Sequence, residues 1–176
     1  REEISIIKDE RQRGWLAGII DADGSIGIHR ANRGGHVQFS PYLSVQMSDV
    51  EAIEHIVQIT GMGVARPGKE KLKGVDVRGI HANRDRWVFR VEGERAIHII
   101  RDIYPWLVVK ERQACIANHL WEIIRGKVQA RKNGRLSEQE KAEKGDLWLL
   151  MKECNQRRPA DVPFPAPPRN YLDHSW

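Results

Sequence analysis

The chain has 176 residues, 40% of them hydrophobic, and this length favours one domain with a hydrophobic core over two domains. Lysine and arginine (29) outnumber aspartate and glutamate (24), and the net charge of +5 favours a polyanionic partner. Two distant cysteines argue against a disulfide framework or a zinc site, and no apolar run approaches the roughly 20 residues that span a bilayer. We therefore expect a soluble intracellular protein of the cytoplasm or an organelle, without membrane contact.

The first predicted elements are a helix followed directly by two strands. Apolar residues recur at helical spacing over residues 8–22, and Gly24 ends this helix. Residues 25–31 then alternate between apolar and polar or small side chains, and after a turn at residues 33–35 the alternation resumes over residues 37–48. The change of period predicts a helix that passes straight into a β-hairpin.

Helices and strands continue to alternate in the rest of the chain. Ser48 is predicted to cap a second helix, with Glu51 as its capping-box partner. Two strands in a basic region and three more helices follow, with Pro105 breaking the first of these helices. This order predicts an α+β domain over residues 1–156, followed by a proline-rich tail at residues 157–176.

The first helix ends in two carboxylates, Asp21 and Asp23, where the helix dipole disfavours anions. Small residues fall on one face of this helix, which lets another helix approach closely. The simplest partner is the same helix of a second copy, in an isologous interface. Packing against another helix of the same chain is the alternative. The predicted interface residues are Gly14, Ala17, Gly18 and Asp21.

Two copies packed in this way would bring their Asp23 carboxylates together. Charges of the same sign at short distance repel, and a divalent cation between them relieves the repulsion. Carboxylate and carbonyl oxygens suit Mg²⁺, and paired metals can assist hydrolysis of a phosphodiester. In the alternative interpretation, Asp21 and Asp23 only cap the helix end and shape a turn.

Residues 16–24, "LAGIIDADG", resemble the nine-residue signature of the LAGLIDADG homing endonucleases, with isoleucine for leucine at the fourth place. The resemblance implies an αββαββα fold in which an antiparallel sheet forms a saddle for DNA and helices cover its other face. The chain carries one copy of the motif, as homodimeric members of that family do.

The resemblance also implies roles for individual residues. Asp23 is the implied metal ligand, assisted by the backbone carbonyl of Ala22. Lys110 is implied to organise water and phosphate near the metals, and Asp49 to contact the active-site solvent, whereas Asp21 caps the partner helix or positions a turn. The implied cofactor is Mg²⁺. Mn²⁺ is expected to replace it, and Ca²⁺ to support binding without cleavage.

The outward-facing side of the predicted strands and the loops beside them form the expected DNA surface. Arginine and glutamine pair bidentately with guanine and adenine in the major groove, and lysines in loops suit phosphates. An ordinary solvated sheet face is the alternative. The predicted contacts are Ser25, His29, Arg33, Gln38, Ser40, Tyr42, Ser44, Gln46, Arg66, Lys69, Lys71, Arg84, Arg86 and Arg90.

These features and the resemblance predict a homodimeric, site-specific DNA endonuclease of the intron-homing type. It would hydrolyse both strands of a long, near-palindromic duplex and leave short 3′ overhangs. Two alternatives share the fold: an RNA-splicing maturase, with intron RNA as its partner, and a DNA-binding regulator without nuclease activity.

Overall fold

The chain folds as alternating helices and strands around one antiparallel sheet. The computed structural model describes residues 5–68, 86–130 and 138–156, without the side chains of residues 33 and 127–130. The strands are β1 (Gly24–Arg33), β2 (His36–Met47), β3 (Arg66–Pro67) and β4 (Trp87–Glu92). The helices are α1 (Glu10–Asp23), α2 (Val50–Thr60), α3 (Glu94–Ile103), α4 (Glu111–Ala130) and α5 (Glu138–Asn155), with a 3-10 turn at Tyr104–Trp106. The predicted α+β class and αββαββα order are confirmed.

The α1–β1 junction has no loop, and Gly24 makes this possible. A Cβ atom on Gly24 would lie 2.6 Å from Cα and 2.8 Å from the carbonyl oxygen of Ile20. The Gly24 amide donates to the carbonyl oxygens of Ile19 and Ile20. Any side chain at this position would therefore collide with helix backbone, so the close approach requires glycine. The junction places Asp23, the last residue of α1, where the sheet begins.

The strand order in the sheet is β1-β2-β4-β3, and every neighbouring pair is antiparallel. β4 runs along β2 from Met47 back to Tyr42. Just beyond the last pair, the Gly93 amide donates to the Pro41 carbonyl at 2.8 Å, while the Gly93 carbonyl accepts from Ile97 in α3. Proline has no amide to return the bond to Gly93. The ladder therefore ends at this point, and the chain turns into α3.

One face of the sheet carries the hydrophobic core. The paired residues Ile26, Leu43 and Val91 are buried, as are Val45 and Phe89 in the neighbouring row. The helices pack on this face, and α3 buries five of its ten residues there. None of the helices in the described ranges is long and apolar enough to cross a membrane. On the opposite face the side chains are exposed or half-buried.

Helix starts differ from the prediction by one or two residues. The prediction of Ser48 as the cap of α2 is wrong, because the Asp49 carboxylate accepts the Ala52 amide at 3.1 Å. α1 starts at Glu10 because Asp9 caps it by accepting the Arg11 amide. Serine and aspartate are both good N-caps, so local sequence did not distinguish the two. The predicted tail, residues 157–176, lies outside the described residues.

Candidate functional site

Asp23 stands at the C-terminal end of α1 with its carboxylate unengaged. The residue is exposed and makes no hydrogen bond or salt bridge to the parts of the chain that the structure describes. Ala22 is also exposed, and its carbonyl belongs to the last turn of α1, where helical carbonyls lack intrahelical amide partners. The end of α1 therefore offers carboxylate and carbonyl oxygens, which suit a hard divalent cation. Within the described ranges, no three or more His, Cys, Asp or Glu side chains are grouped as metal ligands.

Asp21 has a different environment from Asp23, although only one residue separates them. One carboxylate oxygen accepts the Val108 amide at 2.7 Å and the other accepts the Lys110 amide at 2.9 Å. The bonded segment, residues 107–110, connects the 3-10 turn to α4. Asp21 therefore positions a turn of its own chain, far away in sequence.

Lys110 lies between the end of α1 and the start of α4. Its Nζ donates to the Asp21 carbonyl oxygen at 2.6 Å, and its own carbonyl accepts the Ala114 amide in α4. Partial burial lowers the pKa of Lys110, and the nearby negative charges of Asp21 and Asp23 oppose this shift. The structure thus holds the ammonium group of Lys110 within electrostatic reach of the Asp23 carboxylate.

Asp49 lies at the same end of the sheet as Asp23. Gly24 pairs with Val45, and β2 continues past this pair to Met47, so Asp49 follows the strand just beyond the end of α1. The residue is exposed, but one of its oxygens caps α2. It has a structural function independent of any contact with active-site solvent.

The predicted dimer face of α1 needs a correction at Ala17. This residue is fully buried in the core of its own chain, so it cannot contact a second copy. Successive helix residues are rotated by about 100°, which turns Ala17 away from Gly18 and toward the side of Ile20. A Cβ atom on Gly14 would face Trp106 of the same chain at 3.6 Å. Of the two glycines, only Gly18 is open, since a methyl group at this position would meet no described atom within 4 Å other than its chain neighbours and the nearby backbone of its own helix.

The exposed face of α1 instead consists of Arg11, Trp15, Gly18 and Ala22, which repeat at helical spacing. Two valines that the sequence prediction missed add apolar surface next to the end of this helix. Val108 is 81% exposed and Val109 is 68% exposed, in the segment that Asp21 holds. The sequence does contain a signal for these valines, because they lie directly before a helix start and follow a turn that contains proline.

The face of the sheet opposite the core presents polar side chains in rows across the strands. Directly paired residues share a face, so the register defines these rows. One row joins Ser25, Ser44 and Arg90, and the next joins Gly27, Tyr42 and Glu92. A further row, at the Asp23 end, joins Gln46, Val88 and Arg66. We call this surface the open face.

Most of the predicted DNA contacts lie on the open face or beside it. The side chain of Arg33 and all of Lys69, Lys71 and Arg84 lie outside what the structure describes. The open face also holds an acid that the sequence prediction missed, Glu92, although the alternation of β4 could have revealed it. The residues that the structure brings together are Ser25, His29, Gln38, Ser40, Tyr42, Ser44, Gln46, Arg66, Arg86 and Arg90.

Arg112, in the first turn of α4, is an unexplained buried cation. All three nitrogens of its guanidinium group are buried and have no hydrogen-bond partner in the described parts of the chain. Buried polar groups are normally paired, so an unpaired guanidinium is unfavourable in this state of the protein.

Solved structures match this fold, whereas no protein-family model and no curated protein matches the sequence. The homing endonuclease I-CvuI, in complex with the I-CreI target, has a TM-score of 0.66 at 18% identity, over 87% of this chain and 87% of that chain. The archaeal intron-encoded homing endonuclease I-Vdi141I, complexed with DNA, has a TM-score of 0.63 at 14% identity, over 88% of this chain and 91% of that chain.

The meganuclease I-SmaMI, bound to uncleaveable DNA, illustrates a second length class. It has a TM-score of 0.62 at 16% identity and matches 82% of this chain, but only 46% of its own chain is covered. This chain therefore corresponds to about half of I-SmaMI and to nearly all of I-CvuI. The chain has the fold of the LAGLIDADG homing endonucleases.

Proposed function

We propose that the chain is a site-specific endonuclease that acts on double-stranded DNA. The observation that carries this proposal is the placement of Asp23. Its exposed carboxylate has no partner in the described ranges and lies at the end of the sheet where the open face begins, within electrostatic reach of the Lys110 ammonium group. A carboxylate and a cation beside a polar, arginine-bearing surface suit hydrolysis of a bound phosphodiester better than they suit binding alone.

The donor atoms at the end of α1 fit a divalent metal. Asp23 and the Ala22 carbonyl supply hard oxygen ligands without competing partners among the described residues, which matches the preference of Mg²⁺. The metal, when bound, would supply a polarised water and charge neutralisation at the phosphate. One DNA complex of I-CvuI was obtained with Mg and another with Ca, and the DNA in the Mg complex is not cleaved. We propose Mg²⁺ as the cofactor of this chain.

The chain's own residues would divide the remaining tasks. Lys110, fixed through its bond to the Asp21 carbonyl, holds a positive charge beside the phosphate that approaches Asp23. Asp21 sets the position of Lys110 through the amide bonds of residues 107–110. Asp49 is proposed to contact solvent at the same end of the sheet. The open face binds and orients the duplex.

We further propose that the active enzyme is a homodimer in which two α1 helices pack side by side. The exposed face of α1 around Gly18 and the exposed Val108 and Val109 provide apolar surface next to Asp23. Pairing these surfaces would place one Asp23 from each copy near the centre of a duplex with two similar half-sites. The chain covers only 46% of I-SmaMI, so two copies of this chain would together match the length of that single chain.

The nuclease activity is tested with DNA selected by the protein itself. The wild-type chain is incubated with a library of random duplexes in Ca²⁺, the bound duplexes are sequenced, and the enriched sequence is then incubated with the protein in Mg²⁺. We expect enrichment of a near-palindromic sequence and cleavage of both strands at its centre. Enrichment without cleavage in Mg²⁺ or Mn²⁺ would instead support a DNA-binding regulator, and tight binding of RNA alone would support a maturase.

The dimer is tested by light scattering with two glycine variants. Gly18→Gln removes the open position on α1, whereas Gly145→Gln changes a glycine in α5 that is equally free of neighbours. Both substitutions favour the helix by up to about 1 kcal/mol, so neither should unfold the chain. We expect the wild type and Gly145→Gln at about twice 20.3 kDa and Gly18→Gln near 20.3 kDa. A wild-type monomer, or a dimer unaffected by Gly18→Gln, contradicts the proposed interface.

A further inference from the structure

The ring of Tyr42 on the open face lies over the residue opposite it on β1. Its cross-strand partner is Gly27, and a Cβ atom at that glycine would lie 2.6 Å from Cζ and from the hydroxyl oxygen of Tyr42. The aromatic ring therefore occupies the space that a side chain on β1 would fill. The half-buried ring forms a flat platform on the open face, and its position depends on the glycine below it.

Arg90 lies against this platform and is tied to Glu92. The Arg90 Cζ atom is 4.3 Å from the centre of the Tyr42 ring. Its Nε and Nη2 atoms contact the same Glu92 oxygen, Oε1, at 2.9 and 2.8 Å. Both side chains are more than 40% exposed. These two contacts engage part of the guanidinium, which has five N–H donors, and among the described residues the other donors have no partner.

The stability of the fold does not account for this cluster. Exposed ion pairs and exposed cation–π contacts each contribute little to the free energy of unfolding. An acid on a surface that binds DNA also repels phosphate and weakens the binding. What the cluster does provide is orientation, because an arginine fixed by a ring on one side and a carboxylate on the other loses little entropy when it binds.

We propose that Arg90 is a specificity-determining residue that recognises guanine in the major groove, with Tyr42 and Glu92 as its positioning residues. This assignment rests on the proposed function, since it requires duplex DNA on the open face. The free N–H donors of the guanidinium match the O6 and N7 acceptors of guanine, the commonest specific contact of arginine. The carboxylate of Glu92 repels the phosphates of the DNA, but it holds Arg90 in the orientation that this contact requires.

The register also predicts where in the half-site the guanine lies. Arg90 shares a row with Ser25, the second residue of β1, close to Asp23. Gln38 pairs with Ala31, six residues farther along the same strand. Strand residues rise about 3.4 Å each and base pairs are spaced similarly, so the two rows are about 20 Å or six base pairs apart. Arg90 therefore determines a base near the cleavage centre, and Gln38 one near the outer end.

The proposal is tested by selecting bound duplexes from the random library with four proteins: the wild type, Arg90→Ala, Glu92→Ala and Glu94→Ala. We expect the wild type to enrich guanine at one inner position of each half-site. Arg90→Ala should lower that preference about tenfold or more, the effect expected for a lost bidentate base contact. Glu92→Ala should lower it by a smaller factor, up to about fivefold, because an exposed ion pair orients Arg90 only weakly. Glu92→Ala should nevertheless bind random duplex DNA more tightly than the wild type, because a negative charge is removed.

Glu94→Ala is the matched control for charge. Glu94 is an exposed acid two residues from Glu92, in the first turn of α3, and its carboxylate lies beside His98. Its removal should also tighten binding while leaving the guanine preference intact. If Glu92→Ala keeps the full preference and only gains affinity, Glu92 does not position Arg90 and the proposal is overturned. If Arg90→Ala loses no base preference, the assignment of Arg90 is overturned as well.

Failure of the underlying function gives a separate result. A wild-type chain that enriches no duplex sequence at all contradicts DNA recognition itself, and the base assignment falls with it. A wild type that enriches a site with no guanine at an inner position contradicts only the assignment of Arg90.

Discussion

The two faces of the sheet carry different side chains: one face buries apolar residues and the other exposes polar ones. On the core face, Ile26, Leu43 and Val91 form a buried row under the helices. On the open face, the row that joins Ser25, Ser44 and Arg90 keeps its polar groups toward solvent. Adjacent residues of the same strand thus belong to different parts of the molecule, because strand side chains alternate. The difference separates residues that maintain the fold from residues available to a partner.

The same division separates the two aspartates of α1. Asp21 uses both carboxylate oxygens within the chain, whereas Asp23 uses neither in the described residues. Two residues of the same type at nearly the same place therefore have different expected functions. The hydrogen bonds that each carboxylate makes within the chain, more than the residue type, indicate which aspartate is available for chemistry.

The largest effect on stability is expected from a core residue of β4. Phe89 is fully buried, and truncation of a buried phenylalanine to alanine destabilises a protein by about 3–5 kcal/mol. Arg90, the next residue, lies on the open face, and Arg90→Ala should change the free energy of unfolding by less than about 1 kcal/mol. Urea unfolding of both variants measures the contrast. Similar losses in the two would contradict the division between the faces.

The next effect concerns the two aspartates. Asp21→Asn places an amide group against two N–H donors, and loss of charged hydrogen bonds should lower the free energy of unfolding by about 2 kcal/mol. Asp23→Asn removes no described bond and relieves an anion at a helix C-terminus, so stability should stay the same or rise slightly. Unfolding midpoints in urea compare the two variants. A larger loss in Asp23→Asn would show that Asp23 is the structural residue.

Arg112 is an exception on the helix-packed side, and its substitution should stabilise the chain. Arg112→Met keeps an unbranched side chain and removes a buried guanidinium that has no partner among the described residues. We expect the free energy of unfolding to rise by about 1–2 kcal/mol in the absence of DNA. Arg125→Met, at an exposed position farther along α4, is the control and should change it little. Destabilisation by Arg112→Met would mean that the guanidinium has a partner in solution.

The smallest effect is a pH dependence due to Lys110. Burial lowers the pKa of Lys110 below its ordinary value of 10.5, so the unfolded chain binds more protons between the two pKa values. The contribution of Lys110 to the free energy of unfolding should therefore rise with pH across that window. Lys110→Met lacks this rise.

The difference in stability between wild type and Lys110→Met isolates the lysine from other groups. Burial raises the pKa of Tyr104, which favours unfolding at high pH, but this effect is common to both proteins. We expect the wild type to gain stability relative to the variant as the pH rises toward the ordinary lysine pKa of 10.5, because the folded chain releases the Lys110 proton first. A difference that stays constant with pH would contradict the lowered pKa.

The sequence predicted the features that depend on local pattern. Strict alternation placed Leu43 and Val45 on the core face and Tyr42 and Ser44 on the other, and the register agrees. The element order followed from changes of period and from Gly24, whose lack of a side chain the junction requires. These features could be predicted because the hydrophobic periods of helices and strands differ and are visible within a few residues of sequence.

Long-range contacts were not accessible in this way. The bonds from Asp21 to the residue 108–110 segment join positions almost ninety residues apart, and no local period indicates them. Ala17 looked like part of a small-residue stripe, but the rotation of α1 against the core decides which small residues are buried. The link between Arg90 and Glu92 is local by contrast, since residues two apart on a strand share a face, and the predicted DNA surface missed this acid although the alternation of β4 indicates it.

Asp23 is proposed to act in cleavage without maintaining the fold, and cleavage of the selected duplex by Asp23→Asn tests this role directly. We expect the variant to bind that duplex in Ca²⁺ as the wild type does, and to cut it in Mg²⁺ at least about a thousandfold more slowly. Cleavage by Asp23→Asn at the wild-type rate would show that Asp23 has no part in the reaction.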